Sequence, residues 1–298
     1  MPTKRQPPSA YRPPPAADSV GRERSRYLGQ TKSMAPSAAA QPKEFAKRQG
    51  NPATAIHCDR PRHATNTIPV TLLHPVFGEF LDDIQTHEST AEDNKLVVDF
   101  SEAMADVYEK EMSRGAKIRE VLGDAGITLV GSVIEGTSYT TDGDMQHYPH
   151  RYVIAELKNE IGSKAAEPYA QAATYYLEST RKLAPHCPKS SLPCFLLYIY
   201  IFGNLRPTIQ VLSTVLPLHF HYSDSDLRIT TARHLGALKK AINSLRKYYE
   251  HELRVINNRS LPLSPQPRIP RYTTSVTTRN PYLISSYSLA RCTKFSFD

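Results

Sequence analysis

The sequence predicts an α/β domain, one mixed central sheet flanked by helices, set between two disordered flanks. Three observations predict it. Apolar residues recur at helical spacing on both sides of a central stretch in which the period falls to two. β-branched residues and glycines concentrate in that stretch. Outside residues 70–254 the chain turns to Pro, Ser and basic residues with no period at all.

Residues 1–69 are rich in Pro, Ala, Ser, Arg and Lys and poor in large apolar side chains. Such a segment buries too little surface to offset its ordering entropy, so it is expected to be disordered. Order is expected from residue 70. "TLLHPVFGEFLDDIQ" sets Leu73, Val76, Phe77, Phe80, Leu81 and Ile84 at helical spacing. "NKLVVDFSEAMADVYEKEMSRGAKIREVLGDAG" carries Val97, Phe100, Met104, Val107, Tyr108 and Met112 on one helical face, with a break expected at Gly115 and an end at "GDAG". "ITLVGSVIEGTSY" reads as a strand, "TTDGD" as a turn and "RYVIAELK" as a second strand. "EPYAQAATYYLESTRK" is a helix with Pro168 in its first turn. "CFLLYIYIFGNLRPTIQVLSTVL" reads as a two-stranded hairpin. "DLRITTARHLGALKKAINSLRKYYEHEL" is a long closing helix with Leu235, Leu238, Ile242, Leu245 and Tyr249 as its stripe. Residues 255–298 are again basic and rich in Pro and Ser, a second flank expected to be disordered.

A net charge of +8 points towards a polyanionic partner until its distribution is seen. Residues 1–69 carry +8, residues 254–298 carry +6, and residues 70–253 carry −6. Basic character therefore belongs to the flanks and supports no basic cleft in the middle segment. The Lys-Arg pairs at 4–5 and 47–48 would suit nuclear import, but a solvated basic tail is the simpler reading. The apolar run 194–203 is about half of a membrane span, and no apolar leader opens the chain. The protein is expected to be intracellular, cytoplasmic or nuclear, with no membrane partner. Cys58, Cys187, Cys194 and Cys292 show no paired spacing and read as reduced thiols.

Chemistry gathers in "RYVIAELKNEIGS", residues 151–163. Strand alternation puts Val153, Ala155 and Leu157 on one face, and Tyr152, Ile154, Glu156 and Lys158 on the other. Glu156 and Lys158 then stand about 7 Å apart on one face. Asp142 and Asp144 begin the preceding strand, from which an acid reaches the face of Glu156. Converging carboxylates hold Mg²⁺ through oxygen ligands, and the carbonyl between Glu156 and Lys158 adds another. A lysine beside them orients or deprotonates water, or offsets charge on a phosphate. The same tripeptide pattern at Asp93–Lys95 opens a helix and lacks an upstream strand acid. The bland alternative is a strand running out to solvent, with Glu156, Lys158 and Glu160 as surface charges.

"ELKNEIGSKAAEPYAQAATYY", residues 156–176, resembles a block that precedes the kinase domain in the fungal-type protein kinases of mushroom-forming fungi. That block is similar to the core of PD-(D/E)xK nuclease-like domains, which also accompany kinases in Crinkler-type effectors. The likeness spans roughly residues 70–250. It implies a restriction-endonuclease-like α/β fold and a Mg²⁺-dependent nuclease acting on nucleic acid. In its terms Asp142 or Asp144 and Glu156 are metal carboxylates, Lys158 is the catalytic lysine and Gln171 supports the site. Glu167 stands where Asp is usual before Pro, and "SKAA" replaces a glycine-rich step. The chain holds no Gly-rich phosphate loop, HRD-type loop or DFG, so no kinase activity is expected. Residues 255–298 look like a kinase lead-in. The alternative function is a non-catalytic accessory module that binds a protein-kinase domain or another protein partner, here without its kinase.

Other constellations carry less. His219 and His221 lack a third ligand, "HYPHRY" reads as a polar hairpin loop, and the tyrosines of "RKYYEHEL" suit helix packing better than base stacking.

Overall fold

The computed structural model describes residues 17–64, 68–157, 166–183, 192–197, 209–213, 216, 218, 221 and 223–257. By its contacts the chain divides into two units, residues 1–257 and 258–298, and the second lies outside the described residues. The described residues form an α/β fold of eight helices and a small mixed sheet. In chain order these are α1 (Ala17–Gln30), α2 (Pro36–Ala39), α3 (Pro42–Gln49), α4 (Pro75–Thr86), α5 (Ala91–Ala105), α6 (Glu111–Asp124), β1 (Gly143–His147), β2 (His150–Ala155), α7 (Pro168–Arg181), β3 (Phe195–Leu197) and α8 (Ser225–Asn257).

The sheet order is β1-β2-β3, antiparallel between β1 and β2 and parallel between β2 and β3. Helix α7 packs on β2 and is backed by α2, while α8 packs on β1, β2, α4 and α5. Buried between two layers, α7 hides every residue from Ala170 to Thr180. On the α4 and α8 side, Phe195 meets Phe77 and Phe80 edge-on at 5.4 and 5.5 Å. Tyr249 of α8 stacks on His150 and Tyr152 and donates from its hydroxyl to the Pro193 carbonyl at 2.8 Å.

Local sequence explains where the helices start. Pro75 opens α4, and the His74 ring accepts the Val76 N–H at 3.2 Å. Burial lowers the His74 ring to about 4, so it is neutral near pH 7 and keeps that acceptor. Thr90 and Asp93 form a reciprocal capping box on α5, which is the use that Asp93 finds. Pro168 opens α7, and the Glu167 carboxylate accepts the Ala170 N–H at 3.0 Å, so the Glu found before Pro still caps the helix. The expected apolar stripes of α4 and α8 face the core. No helix among the described residues is long and apolar enough to cross a membrane.

Several expectations are corrected. Residues 17–64, expected to be disordered, carry α1, α2 and α3. Few apolar residues suffice there because Tyr27, Leu28, Ile56 and Cys58 all join the core. Polar side chains tie the rest: Arg181 donates to the Leu28 and Thr31 carbonyls at 2.7 and 2.9 Å, and Gln49 bridges Ile56 and Arg60. The helix after residue 93 breaks at Asp106, not at Gly115; Gly115 is buried within α6. Val107 and Met112 are therefore 90% and 82% exposed instead of core. Residues 127–140 make isolated bridges, Val130 with Asp144 and Val133 with Thr140, instead of a regular strand. The chain reverses at Glu135 and Gly136, whose φ of +74° suits glycine, while "TTDGD" runs into β1. "HYPHRY" does form the β1–β2 connection. Of the expected hairpin after residue 194, β3 is described and residues 198–208 lie outside the described set; 209–213 form no strand. Helix α8 runs to Asn257, past the expected helix end at Leu253. Cys58 and Cys194 are buried free thiols; Cys187 and Cys292 lie outside the described residues.

Candidate functional site

The β1–β2 register brings the two predicted carboxylates together. Gly143 pairs with Ala155 and Asp144 with Ile154. One step further in the same register, Asp142 comes opposite Glu156. The Leu157 N–H donates to Asp142 Oδ2 at 3.0 Å, which holds this end of the ladder. Glu156 is anchored from the other side, its N–H donating to the Leu197 carbonyl at 3.3 Å. Its side chain is 1% exposed, so it is not a surface charge on a strand running out to solvent. Lys158 and Glu160 lie outside the described residues.

Asp144 is placed differently. It is 2% exposed, and its Oδ2 accepts from Ser132 Oγ and Thr141 Oγ1, both at 2.5 Å, and from Arg151 Nε at 3.2 Å. Arg151 also donates to Ser132 Oγ and the Val133 carbonyl at 2.8 Å. A β-bulge makes this pair. The register shifts between Met145 and Gln146, so that Gln146 pairs with Arg151 and not with Tyr152. Arg151 thereby comes onto the face of Asp144, and Tyr152 leaves the face of Ile154 for the stack on Tyr249. Simple alternation, which groups Tyr152 with Ile154 and Glu156, fails at this one residue. Asp144 is thus committed to a buried cluster that holds residues 130–142 against the sheet.

Helix α7 closes the site. Gln171 is buried in its first turns, one helical turn before the Tyr175 hydroxyl. That hydroxyl donates to the Thr140 carbonyl at 2.7 Å. Burial pushes the Tyr175 hydroxyl up to about 12, with the charges of Glu156 and Asp142 adding to the rise and Gln171 opposing it. Asp142, Glu156 and Gln171 therefore share one neighbourhood, centred on a tyrosine to which the sequence reading assigned no role. Its signal was the spacing: Tyr175 follows Gln171 by one helical turn.

Arg119 of α6 was also missed. Its Nη1 donates to the Asp142 carbonyl at 2.9 Å. Gly115 lies one turn earlier, and a Cβ there would stand 3.3 Å from Arg119 Nη1 and 3.4 Å from Leu157 Cδ1. An arginine on an amphipathic helix otherwise reads as a solvated face, so no sequence signal marks it.

The donors present are oxygens of two carboxylates, a set that suits a hard cation such as Mg²⁺. Among the described residues no group of three or more His, Cys, Asp and Glu gathers as a metal site. His219 lies outside the described residues, and His221 bonds Ser223 Oγ at 2.6 Å. Away from the sheet, α5 and α6 bound a cleft of about 570 Å³ lined by Asp99, Glu102, Asp106, Glu120 and Asp124, with Lys117 among them. Compared with known proteins, the chain matches no family model, no curated protein and no solved structure.

Proposed function

We propose that this domain hydrolyses phosphodiester bonds of nucleic acid with Mg²⁺, in a restriction-endonuclease-like arrangement of the PD-(D/E)xK type. The observation that carries the reading is the juxtaposition of Asp142 with the buried Glu156 under Gln171 and Tyr175. A cation shared between two neighbouring carboxylates offsets part of the cost of taking them out of water. Asp142, Glu156 and the Leu157 carbonyl would hold that ion. When bound, Mg²⁺ offsets phosphate charge and makes a bound water more acidic. Lys158 would orient the attacking water and take up its proton as the P–O ester bond breaks. Tyr175 stays protonated at neutral pH, keeps its bond to Thr140 and so positions the segment that carries Asp142. Asp142 is the ligand in preference to Asp144, which Arg151 already neutralises. The test incubates the full chain with DNA and RNA in Mg²⁺ or Mn²⁺ beside Lys158→Ala and Glu156→Gln. Cleavage confined to the parent is expected; none above the variants would sink the reading.

A second reading is a non-catalytic module that docks a fungal-type protein-kinase domain. The acidic cleft between α5 and α6, together with the exposed Val107 of their connection and Met112 at the start of α6, favours it. A parent that cleaves nothing but binds such a kinase domain, and loses that binding with Glu102→Gln and Asp106→Asn together, would establish it.

A further inference from the structure

We propose that Arg119 holds a backbone phosphate of the nucleic acid beside the Asp142–Glu156 pair. This rests on the hydrolytic reading above and names the group that receives the substrate's charge. The need for one follows from electrostatics. Residues 70–253 carry −6, and two carboxylates at the site repel a polyanion. Beyond the shared Mg²⁺ and Lys158, a further cation at the site would draw the polyanion in.

Arg119 is placed to supply it. One of its five N–H donors is spent on the Asp142 carbonyl, which sets the guanidinium next to the carboxylate pair. Among the described residues the remaining donors make no further hydrogen bond or ion pair. The arginines on the neighbouring elements differ. Arg151 is consumed by Asp144, Ser132 and Val133, and Arg181 by Glu178 and the carbonyls of Leu28 and Thr31. Arg119 is half-buried, and its uncommitted donors are not among the buried unsatisfied atoms, so a phosphate arriving from solvent can reach them. A planar guanidinium matches two phosphate oxygens at once. Gly115 keeps the space open, because any Cβ there would press on Nη1. The bond to Asp142 couples the phosphate to the metal carboxylate through a single backbone unit.

The experiment measures fluorescence anisotropy of labelled single- and double-stranded oligonucleotides with the full chain in Mg²⁺, from low to high salt. Glu156→Gln is the background, so that no substrate is consumed. Arg119→Ala is expected to weaken binding about tenfold or more and to lower the salt slope by about one, equally for all sequences. Arg119→Lys should keep the slope while losing affinity, and Lys95→Ala, an exposed lysine of α5 paired with Asp99, should change neither. Thermal melts establish that each variant is folded; if Arg119→Ala is not, Arg119→Lys and Arg119→Gln carry the comparison. Parental binding with affinity and slope unchanged in the folded Arg119 variants would overturn the proposal and leave the nuclease reading standing. Absence of both binding and cleavage by the parent would overturn the two together.

Discussion

Removing Arg151 should leave the Asp144 carboxylate buried without its countercharge. The pair is separated by 3.2 Å, with side chains 5% and 1% exposed, so solvent screens it little. Coulomb's law at an effective dielectric of about 20 gives roughly 5 kcal/mol at this separation. Breaking one side of such a pair costs about 3–5 kcal/mol, because the surviving charge keeps its desolvation penalty. Arg151→Met retains much of the volume, and leaves Asp144 with the hydroxyls of Ser132 and Thr141 alone. Asp144→Asn added to it removes the stranded charge. The double variant should therefore be more stable than Arg151→Met, with a coupling of at least about 2 kcal/mol in the cycle. Urea unfolding of the four proteins at pH 7 measures this. A cost below about 1 kcal/mol for Arg151→Met, or single losses that simply add, would refute the argument. Because the cluster holds residues 130–142, Arg151→Met should also reduce cleavage in proportion to the loosening of Asp142.

Gly236→Ala should destabilise the protein by about 1–3 kcal/mol in thermal or urea unfolding, although alanine is the better helix former by about 1 kcal/mol. Its methyl would stand 2.2 Å from His87 Nε2 and 2.9 Å from Asp93 Oδ2, atoms that are bonded to each other at 2.8 Å; a more stable variant would show that the His87 ring simply moves aside. The same pair governs acid stability. Against the opposing effect of burial, hydrogen bonds from His87 and Thr90 hold the Asp93 carboxyl below its ordinary value. A depressed carboxylate stabilises the fold above its unfolded value and loses that contribution as pH falls through its folded value. Unfolding free energies measured from pH 7 down to pH 2 should therefore fall less steeply in Asp93→Asn than in the parent. Glu167→Ala, which removes the cap of α7, should cost about 1 kcal/mol by urea unfolding, and no loss would show that Pro168 suffices. Tyr175→Phe should cost about 1 kcal/mol through the Thr140 bond and lower cleavage; full activity would remove Tyr175 from the positioning role.

Much of the fold was legible because periodicity survives in local sequence. Val76, Phe77, Phe80 and Ile84 of α4, and Leu235, Ile242, Leu245 and Tyr249 of α8, repeat at helical spacing and face the core. Pro168 marked the start of α7 for a local reason as well. The folded N-terminal helices escaped notice because composition weighs residues without knowing their partners. Tyr27, Leu28 and Ile56 are few, and that segment is tied down by Gln49 and by Arg181 of α7, which lies far off in sequence.

For the site, the sequence by itself offered the candidate acids and the helix beside them: Asp142 or Asp144 at one strand and Glu156 at the next, with Gln171 one element later. Alternation and helical spacing are properties of a single segment, so they can be read from it. Only the tertiary structure separated Asp142 from Asp144. A single bulge residue moves Arg151 across the sheet, and a bulge is a feature of two paired strands that neither strand encodes alone. The tertiary structure likewise brought in Arg119, from a helix more than twenty residues upstream, and set Tyr175 among the carboxylates. Those contacts are decided by how α6 and α7 pack on the sheet, which no local pattern records.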